Sequence, residues 1–321
     1  MTRTPRFTRA LLIGFAALAA VPSARGWGCK GHQIVALIAE QHMTAHARDA
    51  TLQILAASPI DPSLARYCQP IVPDPFADSS TWADDERKVK PDTGPWHFVD
   101  IPRSARESDI AKYCPPVTGC VTSALADEVR ILRDPKAAPQ ARADALRFLI
   151  HFVGDIHQPL HSTTNNDLGG NCVPVAFFDR APVESKPLSG VFYPNLHEVW
   201  DVEIVEHFSP GEPASQVAKK LDQKFSAKES AWESQPADFP AWAWESHQLA
   251  ESTVYGRLPH AIPIQTPRSI TSCADDASRA AMSQLDEKLG DDYQNAAAPV
   301  AQEQLAKAGV RLAALLNSIW R

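Results

Sequence analysis

The sequence lacks several features that define other kinds of protein. Its six cysteines include no C-x-x-C pair, so zinc sites built from thiolates are not expected. There is no N-x-S/T sequon, so N-glycosylation is not expected. The 321 residues contain no internal repeat and no low-complexity linker. Any metal site must therefore come from the 11 histidines together with carboxylates.

The apolar run at the beginning of the chain, Ala10–Val21, is too short to cross a bilayer, which takes about 20 residues. Small residues follow at Ala24 and Gly26, where a signal peptidase would cut. We therefore predict a signal peptide over residues 1–26, a mature chain that begins at Trp27, and no membrane anchor after cleavage. A buried or anchoring first helix is the alternative, but no stop-transfer pattern follows. The basic residues that precede the run are Arg3, Arg6 and Arg9.

Positive charge is scarce. The chain has 31 lysines and arginines against 38 acidic residues, a net charge of −7. Residues 1–26 hold four arginines and no acid, so their removal changes the net charge from −7 to about −11. Such a protein is a poor electrostatic binder of nucleic acid or anionic membrane. If its substrate carries phosphate, bound metal ions must supply the positive charge.

The six cysteines all follow the predicted signal peptide, and an even number in an exported chain favours disulfides. Cys114 and Cys120 are close enough to close a short loop. Cys29 with Cys68 would leave Cys172 with Cys273, but the pairing of these four remains open.

Hydrophobic periodicity predicts a mainly α-helical fold with a small β-hairpin within Val173–Tyr193. Pro59–Pro75 is expected to be a loop, and Thr44 is expected to cap a helix. The candidate functional residues are spread from residue 27 to residue 201, so residues 27–321 are predicted to form a single catalytic domain. The helices are predicted over Ile34–Ala39, Thr44–Ala57, Val121–Arg133, Ala141–His157, Leu196–Phe208, Ser215–Phe225, Trp242–Tyr255, Ala274–Leu289 and Tyr293–Asn317.

The most informative stretch is HFVGDIHQPLH at residues 151–161. His151 and Asp155 are four apart, so on a helix they share one face. His161 follows the proline, where the chain can turn back toward that face. Imidazole and carboxylate groups arranged in this way are typical zinc ligands. The same spacing recurs at His197 and Asp201, although one such pair alone is more often structural.

Further short motifs occur in a fixed order: WGCKGH at 27–32, WAD at 82–84, WHFVD at 96–100, GGN at 169–171 and NLHEVWD at 195–201. Together with the central motif, they resemble the zinc-dependent single-strand nuclease family typified by mung bean nuclease and fungal nuclease P-one. The resemblance covers essentially the whole chain from Trp27. It implies a helical domain of the phospholipase C and nuclease P-one type, with three zinc ions at the bottom of a cleft.

The resemblance also implies which residues bind the metal. A free α-amine at Trp27 is a usable ligand, because its pKa of about 7.7–8.0 is far below that of lysine. The implied ligands are Asp84, His97, His151 and Asp155 for one ion; the α-amine and carbonyl of Trp27, His32 and the other oxygen of Asp155 for the second; and His161, His197 and Asp201 for the third.

Substrate contacts are implied in the same way. Asp84 and Asp155 are expected to act in catalysis with Arg87, which would stabilise the transition state. The alternative for Arg87 is a solvated surface arginine. The residues expected to contact the base are Phe98, by stacking, and Asp100 and Asn171; the alternative for Phe98 is a place in the core. His42 and His46, four apart in a predicted helix, match no ligand and are expected to be structural or surface residues.

The expected function is a secreted or periplasmic, monomeric zinc endonuclease. Its substrates would be single-stranded RNA and DNA, cut to 5′-phosphate products, and 3′-mononucleotides. One alternative is a zinc-dependent phospholipase C of the same fold. There the first histidine lies further from the terminus, and a glutamate replaces Asp201. The other alternative is a secreted zinc-binding protein without catalysis, which would need saturated metal sites.

Overall fold

The computed structural model describes residues 27–275, 277 and 287–320. These residues are mostly helical with a few short strands, so the predicted mainly α fold is confirmed. The predicted signal peptide, residues 1–26, lies outside the described residues, as does most of the helix predicted over Ala274–Leu289. Where the end of that segment is described, at Glu287–Leu289, it is a strand, and the helix prediction is wrong there.

The described chain consists mainly of helices joined by connections of varied length. The α-helices are α1 (Cys29–His42), α2 (Ala45–Ala57), α3 (Pro75–Ser79), α4 (Trp82–Glu86), α5 (Val121–Arg133), α6 (Pro139–Ile156), α7 (Leu196–Glu198), α8 (Ile204–Phe208), α9 (Ala214–Glu233), α10 (Phe239–Leu249) and α11 (Asp291–Ile319). The 3₁₀-helices are Pro91–His97, Glu107–Tyr113 and Pro159–Ser162, and π-helical segments occur at Val199–Glu203 and Ala250–Tyr255.

The strands form two small two-stranded sheets. Strand β2 (Val183–Glu184) pairs antiparallel with β3 (Phe192–Tyr193), which confirms the hairpin. Gly190 has a positive φ of 79° in the connection, as a turn requires. The hairpin is smaller than predicted, because β1 (Val175–Phe177) pairs in parallel with β4 (Glu287–Leu289) instead. That partner is more than 100 residues away, so local sequence patterns give no sign of the pairing.

Helix α6 forms the centre of the fold. Pro139 begins it at a position where a missing N–H costs nothing. From Ala145 to Ile156 every residue is buried, because helices pack around α6 on all sides. The helix ends at Ile156 with His157 as its C-cap, and Pro159 prevents its continuation. A side chain on α6 is therefore held on all sides, which suits a metal ligand.

The boundary between α1 and α2 follows local chemistry. Thr44 caps α2 by accepting a hydrogen bond from the Ala47 N–H, as predicted. Met43 has extended backbone geometry, so α1 ends at His42. His42 and His46 therefore lie on different helices, and the expectation that they share one helix is wrong.

The six cysteines form three disulfides: Cys29–Cys68, Cys114–Cys120 and Cys172–Cys273. Cys114–Cys120 is the pair expected from its short loop. Cys29–Cys68 ties the first turn of α1 to the proline-rich loop before α3. Among the helices in the described part of the chain, none has the length and apolar character needed to span a membrane.

Helix α11 packs closely against α1 at a glycine. A Cβ added at Gly309 would lie 2.6 Å from Cβ of Ile38 and 2.9 Å from the Val35 carbonyl oxygen. The backbones therefore approach too closely for any larger residue. Because α1 carries His32, this contact also supports the functional site.

We predict that Gly309→Ser lowers the free energy of unfolding by about 1–3 kcal/mol, the usual cost of overpacking. The control is Gly290→Ser, because a Cβ there meets nothing within 4 Å and serine is a good N-cap for α11. Urea unfolding under oxidising conditions measures both. Equal stability of the two variants would contradict the close α1–α11 contact.

Candidate metal centre

Eight of the predicted ligands meet in the interior as three groups. Within each group, donor atoms lie within 4.8 Å of one another. Separate elements supply them: α1, α4, α6, two 3₁₀-helices and the α7–π segment. All eight residues are buried. The groups are His32, His151 and Asp155; Asp84, His97 and His151; and His161, His197 and Asp201.

Asp155 lies where the groups meet, and its two oxygens face different histidines. Oδ2 is 2.9 Å from Nδ1 of His97 and 3.2 Å from Nε2 of His151. Oδ1 is 3.4 Å from Nε2 of His32 and 3.7 Å from Nδ1 of His161. Asp155 therefore offers one oxygen to each of two histidine groups.

Asp84 lies at the edge of the group, with Oδ1 4.0 Å from the ring nitrogens of both His97 and His151. The same oxygen is 3.2 Å from Nη2 of Arg87. The Arg87 side chain is only 10% exposed, which excludes the solvated surface arginine considered as its alternative. The structure therefore brings a guanidinium next to the candidate metal ligands.

The third group is held by a residue that the sequence analysis missed. His197 Nε2 lies 3.2 Å from Oδ2 of Asp201. The other oxygen of Asp201 accepts a 2.6 Å hydrogen bond from Nε2 of Gln158. Gln158 also accepts from the Leu160 N–H and so caps the 3₁₀-helix that carries His161. The one sign of this role in the sequence is that Gln158 lies within the HFVGDIHQPLH motif.

Backbone carbonyls orient three of the histidines. The Nδ1 atoms of His151, His161 and His197 lie 2.6–2.7 Å from the carbonyl oxygens of Ser80, His97 and Gly169, respectively. When each Nδ1–H donates to its carbonyl, Nε2 is left with a lone pair for a ligand. The sequence could not predict that Ser80 and Gly169 orient histidines, because every residue type has a backbone carbonyl.

The donor atoms fit a metal better than they fit one another. Several buried ones have no hydrogen-bond partner within the described residues: both ring nitrogens of His32, Nε2 of His97, Oδ1 of Asp155 and Nε2 of His161. Buried polar atoms without partners are costly. Nitrogen and oxygen donors without thiolate match zinc and related divalent ions.

Positively charged neighbours favour the ionised form of two buried carboxylates in these groups. Burial opposes ionisation of Asp84, but Arg87, His151 and His97 outweigh it and lower its pKa to about 2. Burial likewise opposes ionisation of Asp155, yet His151 and His161 hold its pKa well below its usual range. Both carboxylates are therefore ionised at neutral pH, the state that binds cations.

Trp27 lies beside these groups and is fully buried. A Cβ added at Gly154 would lie 3.9 Å from Cδ1 of Trp27 and 2.8 Å from Nδ1 of His32. The side chains of Trp27 and His32 therefore both pack against Gly154. The next residue, Gly28, donates its N–H to the Asp201 carbonyl at 2.8 Å. The backbone directly after Trp27 is thus hydrogen-bonded to Asp201.

The predicted base-contact residues lie near the candidate ligands, and two of them, Phe98 and Asp100, reach the surface. Phe98 is half-buried rather than part of the core. Asp100 is exposed and close enough to His197 for their charges to interact. Asn171 is buried, and its amide donates to the Leu168 carbonyl at 2.8 Å. With His197 and Asp201 it lines a cavity of about 960 Å³.

Comparison with known proteins points to one family. A model of the S1/P1 nuclease family matches residues 27–321. Nuclease S1 of Aspergillus oryzae is 28% identical over 97% of this chain and 98% of its own length. Nuclease P1 of Penicillium citrinum is 27% identical over 91% and 97%, respectively. Endonuclease 2 of Arabidopsis thaliana is 27% identical over 94% and 93%.

We predict that Gln158→Ala weakens zinc retention by about 10–100-fold, the usual effect of losing a contact that orients a ligand. The reason is that Asp201 loses its 2.6 Å hydrogen bond. Competition with a zinc chelator measures retention. Gln248→Ala, an exposed glutamine on α10, is the control and should match the unaltered protein. Unchanged retention in Gln158→Ala would refute this role.

Proposed function

The chain belongs to the S1/P1 nuclease family, and from this premise we propose that it is a zinc-dependent endonuclease specific for single strands. As a member of a family of nucleases, it is an enzyme that cleaves nucleic acid. The proposal rests on one observation above all. The candidate ligands, far apart in sequence, converge in a buried constellation with donor atoms that lack protein partners.

We assign three zinc ions to the centre. Bound zinc would supply Lewis acidity, positive charge for the phosphate, and activation of water near neutral pH. Asp155 would be shared by two of the ions, and the arrangement of its two oxygens supports this assignment. The ligand sets are those implied by the sequence: Asp84, His97, His151 and Asp155; Trp27, His32 and Asp155; and His161, His197 and Asp201.

Arg87 acts directly on the reacting phosphate in this proposal. Its guanidinium is paired with Asp84, so it is held beside the metal centre rather than in solvent. Guanidinium binds phosphate oxygens in a fixed bidentate geometry, which suits charge that develops in the transition state. Because the chain is acidic overall, its attraction for phosphate must come from cations placed at the site, such as Arg87.

The base is recognised next to the metal centre. Phe98 directly follows His97, and its half-buried ring can stack on a base regardless of sequence. Asp100 and Asn171 contact the base edge. A base within a duplex cannot reach this site without being unstacked, so single strands are preferred. The same contacts would accept a 3′-mononucleotide.

We propose that residues 27–321 work as one monomeric catalytic domain, exported to the periplasm or the medium after removal of residues 1–26. A hydrophobic core that extends from Trp27 to Leu316 supports the single domain. Three disulfides support export to an oxidising compartment. The family match, which names nucleases, disfavours the alternatives of a phospholipase C and of a non-catalytic zinc-binding protein.

The test is product analysis with the mature chain on a short single-stranded oligonucleotide, as RNA and as DNA. We predict internal cleavage to 5′-phosphate ends, loss of activity with a chelator and recovery with zinc. A duplex of the same sequence should be cut far more slowly. Lecithin vesicles are the control for the phospholipase alternative. Hydrolysis of lecithin alone, or of no phosphoester by the zinc-loaded protein, would overturn the proposal.

A second prediction concerns the α-amine of Trp27. Adding even one residue ahead of Trp27 replaces that amine with an amide, which is a poor ligand. We predict a loss of activity of at least about 100-fold, beyond the usual range for an orienting contact. The control carries the same addition after residue 321. Full activity of the extended chain, with an unchanged zinc content, would show that Trp27 binds no metal through its nitrogen.

A further inference from the structure

A fourth group of possible metal ligands lies on the surface between two helices. His42 ends α1, while Asp222 and Glu229 lie on α9. Their donor atoms are within 4.8 Å of one another. His42 is ten residues after His32 on α1, about 15 Å along the helix axis. The group is therefore distinct from the candidate metal centre.

Carboxylates lie next to both ring nitrogens of His42, an arrangement that metal-binding imidazoles share. Its Nε2 is 2.7 Å from Oδ1 of Asp222 and 3.9 Å from Oε1 of Glu229. On the other side of the ring, Nδ1 is 3.1 Å from Oε1 of Glu233. Histidines that bind a metal usually donate their second ring N–H to a carboxylate in this manner.

We propose that His42 Nε2 and the carboxylates of Asp222 and Glu229 bind one divalent transition-metal ion, with zinc as the best match. One imidazole and two carboxylates, without thiolate, suit zinc and manganese more than softer ions. Glu233 accepts the Nδ1–H and fixes the ring. Water would complete the coordination.

The charges favour a dication at this position. Three carboxylates surround a single imidazole, so even a protonated His42 leaves the group with a net charge of −2 when the acids are ionised. Like charges held this close repel one another unless a cation lies between them. The negative end of the α1 helix dipole adds to the attraction for a cation.

Glu229 provides an independent indication. Its Oε1 is buried and has no hydrogen-bond partner within the described residues. The neighbouring Asp222 oxygen is already 2.7 Å from His42, whereas Glu229 remains at 3.9 Å. A bound ion would give this oxygen the partner that it lacks, since buried acceptors without partners are costly.

A metal here would join α1 to α9. Helix α1 carries Cys29 and His32 in its first turns, so its far end becomes a second anchor for the helix that supports the candidate centre. The ion would be structural, since neither the cavity nor the predicted base contacts include these residues. We therefore expect it to change stability and metal content without changing the cleavage rate.

The competing explanation is a protonated His42 held by the three carboxylates. Burial lowers the pKa of His42, but Asp222, Glu229 and Glu233 outweigh it, and the net direction is upward. A proton and a metal ion compete for the same Nε2. The two explanations differ in what zinc does: it binds and stabilises only if the site accepts a metal.

The experiment compares zinc content by elemental analysis after dialysis of the mature chain against buffered free zinc. His42→Gln and Glu229→Gln should each retain about one zinc fewer per chain than the unaltered protein. His46→Gln, an exposed histidine in the first turn of α2, is the matched control and should lose none. The experiment compares the zinc content of each variant with that of the unaltered protein, so its result does not depend on the proposed nuclease activity.

Thermal unfolding with and without zinc gives a second readout. At zinc levels that leave the catalytic centre saturated, added zinc should raise Tm for the unaltered chain and His46→Gln but not for Glu229→Gln. Cleavage of a single-stranded oligonucleotide should be equal in all of them. Two results would overturn the metal site in favour of the protonated histidine. One is an equal zinc content in the unaltered protein and all variants, and the other is a Tm of Glu229→Gln that is lowered by the same amount with and without zinc.

Discussion

The structure depends on one buried carboxylate. Asp155 is fully buried, yet it stays ionised because imidazoles approach both of its oxygens. Charge buried in a protein is tolerated only with close partners, and two of these imidazoles, those of His151 and His161, are themselves positioned by backbone carbonyls. Helices α1, α4 and α6 and the following 3₁₀-helix must therefore meet at this point. The fold can be understood as the packing that holds these donors around Asp155.

Much of the helical framework could be predicted from local sequence. Thr44 caps α2, Pro159 follows α6, and α5 begins and ends where the periodicity placed it. Patterns that depend on distant partners could not be predicted. Strand β1 pairs with β4 rather than within its hairpin. The short α4 and the 3₁₀-helix Pro91–His97 have too few residues for a periodic signal, although both carry candidate ligands.

The candidate site was predictable through motifs, but its supporting contacts were not. Spacing cannot tell which histidine of HFVGDIHQPLH faces the centre. His157 lies on the other side of α6, where Arg311 donates to its Nε2 and burial and Arg311 lower its pKa to about 3. His161 turns inward instead, after the proline. Likewise, Gln158 is an ordinary polar residue in the sequence, and only the fold places it against Asp201.

The Cys29–Cys68 disulfide connects the chemistry of the site to the compartment in which the protein matures. Cys29 lies between Trp27 and His32, so the bond holds the segment that contributes both. Reducing conditions would leave that first turn of α1 without its covalent tether to the proline-rich loop. If the chain is exported as proposed, residues 1–26 would be removed during export, and this cysteine pair would be oxidised in the same compartment. Two maturation steps of different chemistry would then complete one end of the active site, and the cell that makes the enzyme would be shielded from it until both had occurred.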